Sequence, residues 1–482
     1  MKKNLLVLIT LCLLSLSVFA KSGYEIKVKL ANYTEKQLVL GYHLADKQYI
    51  KDTVTADEKG WFTFKDKDGK ELPAGIYLVI TMPEKQYFQV LVDKDDQFFS
   101  VETDAKEPME NMKIKGSNLN KDFYAYMDFL AKQRKEADKV RAQMKIDSAD
   151  TKKRENWSKE LDKIDASVKS YLAETLKKQD KTLIAAIIKG SQDIDVPEFK
   201  EEKDVAERQR KRYFYYKNHF FDNFNMGDSR LLRSPVQFNR VEYYVNKLTQ
   251  QIPDSINNSV DRVLQLVKPS EESYKFYLIH FLNYFAKSNI VGMDACYVHI
   301  AKNYYAKGEA NWTEKEQLDK IIDNAKTLEP ILIGKTAPNL NMQKRDGTPI
   351  SLYDIKAPYT IIFIWDPECG HCKKSMPAVM DFYEKYKDKG IEIFAICNRV
   401  TDKVPQCWEY IDTQKRMTWL NVVDPYLLSK YNTLYDVKST PQVFILDKEK
   451  KIISKRIAGE QLGEVMDEII KIDNERMKME KK

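Results

Sequence analysis

Residues 359–377 read YTIIFIWDPECGHCKKSMP, and the rest of the chain is organised around them. Ile361, Ile362, Phe363 and Ile364 form a continuous apolar run, the pattern of a strand buried on both faces. Trp365, Asp366 and Pro367 close it. Cys369-Gly370-His371-Cys372 then opens a segment in which Met376, Val379, Met380 and Tyr383 recur at helical spacing. A thiol at a helix N-terminus meets unpaired backbone N–H groups and the positive end of the helix dipole, and both favour the thiolate. Cys369 is therefore expected to be the lower-pKa, attacking sulfur. Cys372, deeper in the first turn, is placed to resolve a mixed disulfide. No second C-x-x-C or H-x-x-x-H follows to complete four zinc ligands, so no metal is expected. An inert structural bridge is the other alternative, but such bridges rarely sit on a strand–helix corner beside a charged neighbour.

On these residues the segment resembles the active-site corner of the thioredoxin superfamily, in particular the envelope TlpA/ResA-like thiol–disulfide oxidoreductases. Pro377 matches the family's kinking proline in the active-site helix. Thr440-Pro441, before the apolar run 442–446, matches the cis-proline that lies beside the cysteines and offers backbone to a bound peptide. Upstream, Gly334, Ala337-Pro338, Asp346-Gly347 and Leu352 resemble the hairpin that leads into such domains, and the long gap from Cys369 to Pro441 suits the TlpA-like insertion. The resemblance spans roughly residues 333–475. It implies an α/β thioredoxin-like domain that exchanges disulfides with client proteins, with the Cys369–Cys372 disulfide in place of any cofactor. It further implies Thr440, Pro441 and Trp365 as client-binding residues and His371 with Gly370 as residues that tune the redox potential. Two positions depart from the pattern. Phe363 stands where thioredoxin has a buried acid, and Ser375 where TlpA-like proteins often carry Glu. A buried carboxylate would shuttle the resolving thiol's proton, so the proton acceptor for Cys372 is unassigned. Gly-His is also the pair between the cysteines of protein disulfide isomerase, and it points to a potential above thioredoxin's.

At the other end, Lys2 and Lys3, the apolar run from Leu5 to Leu16, and Val18-Phe19-Ala20 form the series of a secretory signal peptide over residues 1–20, with cleavage after Ala20. Cys12 follows Leu11 rather than the small residue a lipoprotein signal wants, so no lipid is expected there. No later stretch is apolar enough for a membrane helix. The expectation is an exported protein of the periplasm or cell envelope with no membrane span after cleavage. The 79 Lys and Arg against 72 Asp and Glu leave a net charge of +7, finely interleaved along the chain. That describes solvated helix faces and argues against a nucleic-acid partner. Outside the signal the cysteines are Cys296, Cys369, Cys372, Cys397 and Cys407, too few to staple an exported protein of this length. Cys397 ends a buried strand and Cys407 precedes or starts a helix. Two reduced thiols packed in the core are expected, with a second disulfide as the alternative.

Three regions follow from the patterning, and the fold class is multidomain. Residues 21–117 carry short runs rich in β-branched and aromatic residues (24–30, 38–44, 61–65, 76–82, 87–92, 98–102), separated by turn formers. They read as a small antiparallel β-sandwich or barrel, with His43 on a strand surface, acting as a docking module or a folded spacer. Residues 118–329 read as an α-helical domain. It opens with a two-helix hairpin whose stripes (Phe123, Met127, Leu130, Val140 and Met144; then Trp157, Leu161, Ile164, Val168, Leu172 and Leu176) pack in a core or, alternatively, form a dimer seam. The hairpin's turn falls at Asp147-Ser148-Ala149-Asp150. The aromatic run Arg212–Tyr216 with His219-Phe220-Phe221 reads as a helix buried between others. Asp228-Ser229-Arg230 is a polar loop without an evident purpose, and Cys296, His280 and His299 have no ligand spacing. Residues 330–482 alternate strands and helices, including a helix at 427–431, and give the α/β thioredoxin-like domain. Two function classes compete: a thiol–disulfide oxidoreductase, and a non-enzymatic envelope binding protein whose thioredoxin-like domain is redox-inert. A peroxidase reading lacks the P-x-x-x-T-x-x-C pattern. Disulfide-containing clients and an envelope electron donor or acceptor are the implied partners.

Overall fold

A computed structural model describes residues 22–147 and 149–480. The expected signal peptide, Cys12, the cleavage position and Ser148 of the hairpin turn lie outside the described residues. The chain divides into two compact units, one ending at Tyr244 and the other starting at Val245.

The first unit opens with β1 (Glu25–Ala31), β2 (Gln37–Leu44), β3 (Lys47–Thr55), β4 (Trp61–Lys65), β5 (Gly75–Thr81), β6 (Tyr87–Val92), β7 (Phe98–Asp104) and β8 (Lys113–Lys115). They build two sheets, β4-β1-β7-β8 and β3-β2-β5-β6. Ile26, Val28, Phe62, Phe64 and Val101 of one meet Leu38, Leu40, Tyr77, Val79 and Val90 of the other in a single core, so the pair is a sandwich. The sandwich is not wholly antiparallel. β1 runs parallel to β7, because the chain leaves the first sheet to build the second before it returns. β3 escapes the sequence pattern because its side chains are mostly exposed at a sheet edge and charges interrupt the alternation.

His43 is buried, at 7% exposure, rather than a strand surface residue. The outer face of its sheet is covered by the turn 229–233, whose Leu232 carbonyl accepts the Ala45 N–H at 2.8 Å. Burial holds the His43 imidazole below its usual range. The same turn gives Asp228-Ser229-Arg230 a purpose. The Arg230 guanidinium donates to Asp228 at 2.8 Å and to Asp93 at 2.8 Å, tying the helical segment to the sandwich.

Helices follow: α1 (Asn118–Ile146), α2 (Thr151–Lys178), α3 (Leu183–Ser191), α4 (Val205–His219) and α5 (Pro235–Asn246). Ser117 caps α1 by accepting the Asn120 N–H at 3.0 Å. The Asn120 amide then matches the backbone of edge strand β6: its Oδ1 accepts from Leu91 N and its Nδ2 donates to Leu91 O, both at 2.7 Å. Tyr124, one turn on, donates to Gln89 O at 2.7 Å. The hairpin of α1 and α2 forms as expected, with Phe129 stacked on Tyr171 at 3.9 Å. Its second stripe is only half-buried, however. α2 has no buried side chain among the described residues, because it packs on α1 in one layer. α4 likewise is not enclosed between helices: Tyr213 and Phe214 are exposed. The charges interleaved with its aromatics need water or ion partners, as in Arg210–Glu207 and Lys211–Glu202 at 2.7 Å each.

The second unit starts with α6 (Pro253–Val267), α7 (Glu271–Ala286), α8 (Asp294–Ile300) and α9 (Lys315–Leu328). It continues with β9 (Asn341–Gln343), β10 (Pro349–Ser351), β11 (Tyr359–Trp365), α10 (Gly370–Tyr386), β12 (Ile391–Cys397), α11 (Val404–Gln414) and β13 (Leu420–Val423). It closes with α12 (Tyr431–Leu434), β14 (Gln442–Leu446), β15 (Ile452–Lys455) and α13 (Leu462–Glu480). The sheet order is β10-β9-β13-β12-β11-β14-β15, with β11 parallel to β12 and antiparallel to β14. The helix expected at 427–431 is instead a turn followed by the single turn α12. The Asp424 carboxylate accepts the N–H groups of Leu428 and Ser429, at 3.0 and 2.8 Å, which bends the backbone away from a helix. Lys455 of β15 is fully buried, and its ammonium donates to Asp294 of α8 and, at 2.6 Å, to the Ile331 carbonyl.

Cys397 and Cys407 are joined in a disulfide rather than packed as two thiols. The end of β12 and the first turn of α11 bring their Cα atoms to 6.2 Å, inside the range a bridge requires.

Candidate active site

β11 is buried along nearly its whole length, which fixes the position of the turn that leaves it. Asp366 organises that turn: its carboxylate accepts the Glu368 N–H at 2.8 Å and its carbonyl accepts the Cys369 N–H at 3.2 Å. Cys369 is thereby set at the N-cap of α10 in an extended conformation. Its half-buried thiol lies 3.2 Å from the Thr440 carbonyl, to which it donates. The Thr440–Pro441 peptide is cis, and both residues remain partly exposed beside the thiol.

The two cysteines differ sharply although they are three residues apart. Burial alone would raise the Cys369 thiol, but hydrogen bonding from the Thr440 side chain and from the backbone N–H groups of Cys372 and His371 outweighs it. The thiol is held below its ordinary value. Cys372 is 1% exposed, and burial pushes it up to about 12. Both are free thiols, so the site is in its dithiol form. One sulfur is reachable and ready to ionise, and the other is protonated and sheltered.

The remaining expected residues divide. His371 is exposed and lines a groove of about 800 Å³ with Lys374, Thr440, Pro441, Arg456 and Ile457. Gly370 is exposed, and a methyl group there would meet no atom within 4 Å, so nothing about the space demands glycine. Trp365 does not belong to a client-facing surface. It is fully buried under the site, with its indole 5.3 Å from the Tyr410 ring. Ser375 is also buried, donating to the His371 carbonyl at 3.1 Å. Gly459 packs over it closely enough that a Cβ added there would lie 3.1 Å from the Ser375 Cβ. With Phe363 buried in β11, neither position supplies a carboxylate to Cys372.

Arg399, Asp366 and Glu368 were not singled out as site residues by sequence, yet they join at the turn. Arg399 Nη2 is 2.7 Å from Asp366 and 2.6 Å from Glu368. The spacing D-x-E directly before the first cysteine was the available signal. Its cation, thirty-odd residues on, had none.

Residues 333–455 match the AhpC/TSA family, while residues 24–123 and 151–327 match two domains of unknown function, DUF4369 and DUF5106. A domain of a possible thiol-disulfide isomerase from Cytophaga hutchinsonii is 39% identical, covering 30% of this chain and 97% of that one at a TM-score of 0.28. The thiol-disulfide oxidoreductase ResA of Bacillus subtilis is 28% identical over 128 residues, 26% of this chain and 67% of that protein. ResA of Bacillus thuringiensis subsp. konkukian is 32% identical over 146 residues, which make up 30% of this chain and 79% of that protein. On that relationship, which runs over most of the length of ResA, the chain belongs to the ResA family of thiol–disulfide oxidoreductases.

Proposed function

We propose that the chain is an exported enzyme that reduces or isomerises disulfides of client proteins through Cys369 and Cys372. The observation that carries this reading is the asymmetry of the pair: an accessible thiol with a lowered pKa one helical turn from a buried thiol with a raised one. The Cys369 thiolate attacks a client disulfide, forming a Cys369–client bond and releasing the other client sulfur as a thiolate that takes up a proton. Cys372 then gives up its proton and attacks Cys369, releasing the second client thiol. The client gains two electrons and the enzyme is left with a Cys369–Cys372 disulfide, which a dithiol donor must reduce again. No further cofactor enters. The backbone at Thr440 and Pro441 is available to an extended client segment laid along the groove.

Export rests on the charged, apolar and small-residue series of residues 1–20. No helix among the described residues is long and apolar enough to cross a membrane. Reduction of insulin by dithiothreitol tests the chemistry. Cys369→Ser should abolish the catalysed rate, and Cys372→Ser should accumulate mixed disulfides. A Cys369→Ser variant that turns over like the parent would sink the mechanism.

A further inference from the structure

The turn that presents Cys369 carries two carboxylates, Asp366 and Glu368. Negative charge beside a thiol opposes its ionisation. A single guanidinium nitrogen of Arg399 meets both, at 2.7 and 2.6 Å. The side chains of Arg399 and Asp366 are only 14% and 15% exposed, so water and salt screen this half of the contact weakly. Glu368, at 66%, is its solvated half. The loop that bears Arg399 is fastened along its length. Asn398 N donates to Trp365 O at 2.7 Å, and Asn398 Oδ1 accepts from Tyr431 at 2.5 Å. The stretch is then closed by the Cys397–Cys407 disulfide, which spans a sequence separation of 10.

We propose that Arg399 is a positioning residue for thiol–disulfide exchange: it neutralises Asp366 and Glu368 and braces their turn, so that Cys369 ionises readily. The Cys397–Cys407 bridge fixes the loop that delivers it. The titratable groups around the thiol are Cys372 and His371 of α10, Asp366 and Glu368 of the turn, and Arg399, with Lys374, Asp436, Lys438, Arg456 and Glu460 along the groove on the Thr440 side. Among these Arg399 is the cation in direct contact with the two carboxylates.

This inference rests on Cys369 being the attacking thiol, and the test separates the two. In the reduced full-length protein, the rate of Cys369 alkylation by iodoacetamide is followed against pH by mass spectrometry. Arg399→Ala should raise the midpoint by roughly 0.5–1 unit, about a three- to tenfold loss of thiolate at neutral pH. Arg399→Lys should keep most of the parent value, and adding Glu368→Gln to Arg399→Ala should bring the midpoint part of the way back, since the less exposed Asp366 remains. If Arg399→Ala does not fold, Glu368→Gln alone serves, and it should lower the midpoint. A folded Arg399→Ala protein with an unchanged midpoint overturns the proposal, as does a shift that Glu368→Gln does not reduce at all. A parent protein in which Cys372 is alkylated before Cys369 overturns the reading of the attacking thiol, and the proposal with it.

Discussion

Lys455 offers the most demanding test of how the second unit is held together. Its side chain is 1% exposed and that of Asp294 is 8% exposed, and their contact joins β15 of the sheet to α8 of the helical segment. Taking either charge away leaves the other buried without its counterion. Breaking such a pair costs about 3–5 kcal/mol, whereas replacing both partners with apolar residues of similar size is often neutral. Lys455→Met and Asp294→Asn should therefore each destabilise the unit by about 3–5 kcal/mol, and Lys455→Met with Asp294→Leu should cost less than either alone. At a urea dependence of about 3 kcal/mol per molar, each single change moves the unfolding midpoint down by about 1–1.7 M. The two single variants part company with pH. Burial holds the Lys455 ammonium below its ordinary pKa, with Asp294 acting in the opposite direction. Between that lowered value and the unfolded value of about 10.4, the unfolded chain binds more protons, so stability contributed by this group rises with pH. Removing Asp294 lowers the folded value further and widens that window towards neutral pH. The deficit of Asp294→Asn should accordingly be largest near pH 7 and shrink as pH approaches about 10. Urea titrations of the full-length protein at several pH values read both effects. Single variants that each lose under about 1 kcal/mol, or a double variant that loses the sum of the two, would refute the reasoning.

Other outcomes follow from the site. Replacing Cys397 and Cys407 together with Ala should cost about 2–3 kcal/mol of stability, from the loop entropy of so short a closure, as measured by denaturant unfolding. His371→Pro removes both the imidazole and a backbone N–H that favours the Cys369 thiolate, so equilibration with glutathione should give a more reducing potential than the parent's. His371→Ala keeps the N–H, and a potential equal to that of His371→Pro would show that the N–H contributes nothing. A methyl group on Gly459 would lie 2.9 Å from Val379 Cγ2 and 3.1 Å from Ser375 Cβ, so Gly459→Ala should lower the thermal midpoint by several degrees. Protein secreted by its native host should begin at Lys21 with Cys12 absent, which intact mass reads directly.

What the sequence made legible was local. Ile361–Ile364, the two cysteines and the helical spacing after them lie within one turn-and-helix segment, and the pattern fixes strand, corner and helix together. Thr440-Pro441 was readable as a motif. The misses share a cause, which is that a partner distant in the chain decides the outcome. His43 is buried because Leu232 and its neighbours cover the sheet. Lys455 reads as one more interleaved lysine until Asp294, 161 positions earlier, is placed beside it. Trp365 stands next to the site in sequence but turns into the core, since alternate strand residues point to opposite faces. The Cys397–Cys407 bridge depends on how α11 docks against the end of β12, which spacing alone leaves open.

The contact of Asn120 and Tyr124 with β6 has a consequence for the life of the molecule outside its folded state. An open sheet edge is a template on which another chain can add a strand, and long apolar edges seed aggregation. Here two side chains from the start of α1 occupy the backbone groups of Leu91 and Gln89 that such a strand would use. The first turns of a helix thus serve as a guard for a sheet. Fraying of α1 at residues 118–124 would free the N–H and C=O of Leu91 and the C=O of Gln89, turning a guarded edge into an adhesive one. The guarding residues, 120 and 124, lie close in sequence to the strand they protect, so strand and guard can form together as the chain folds.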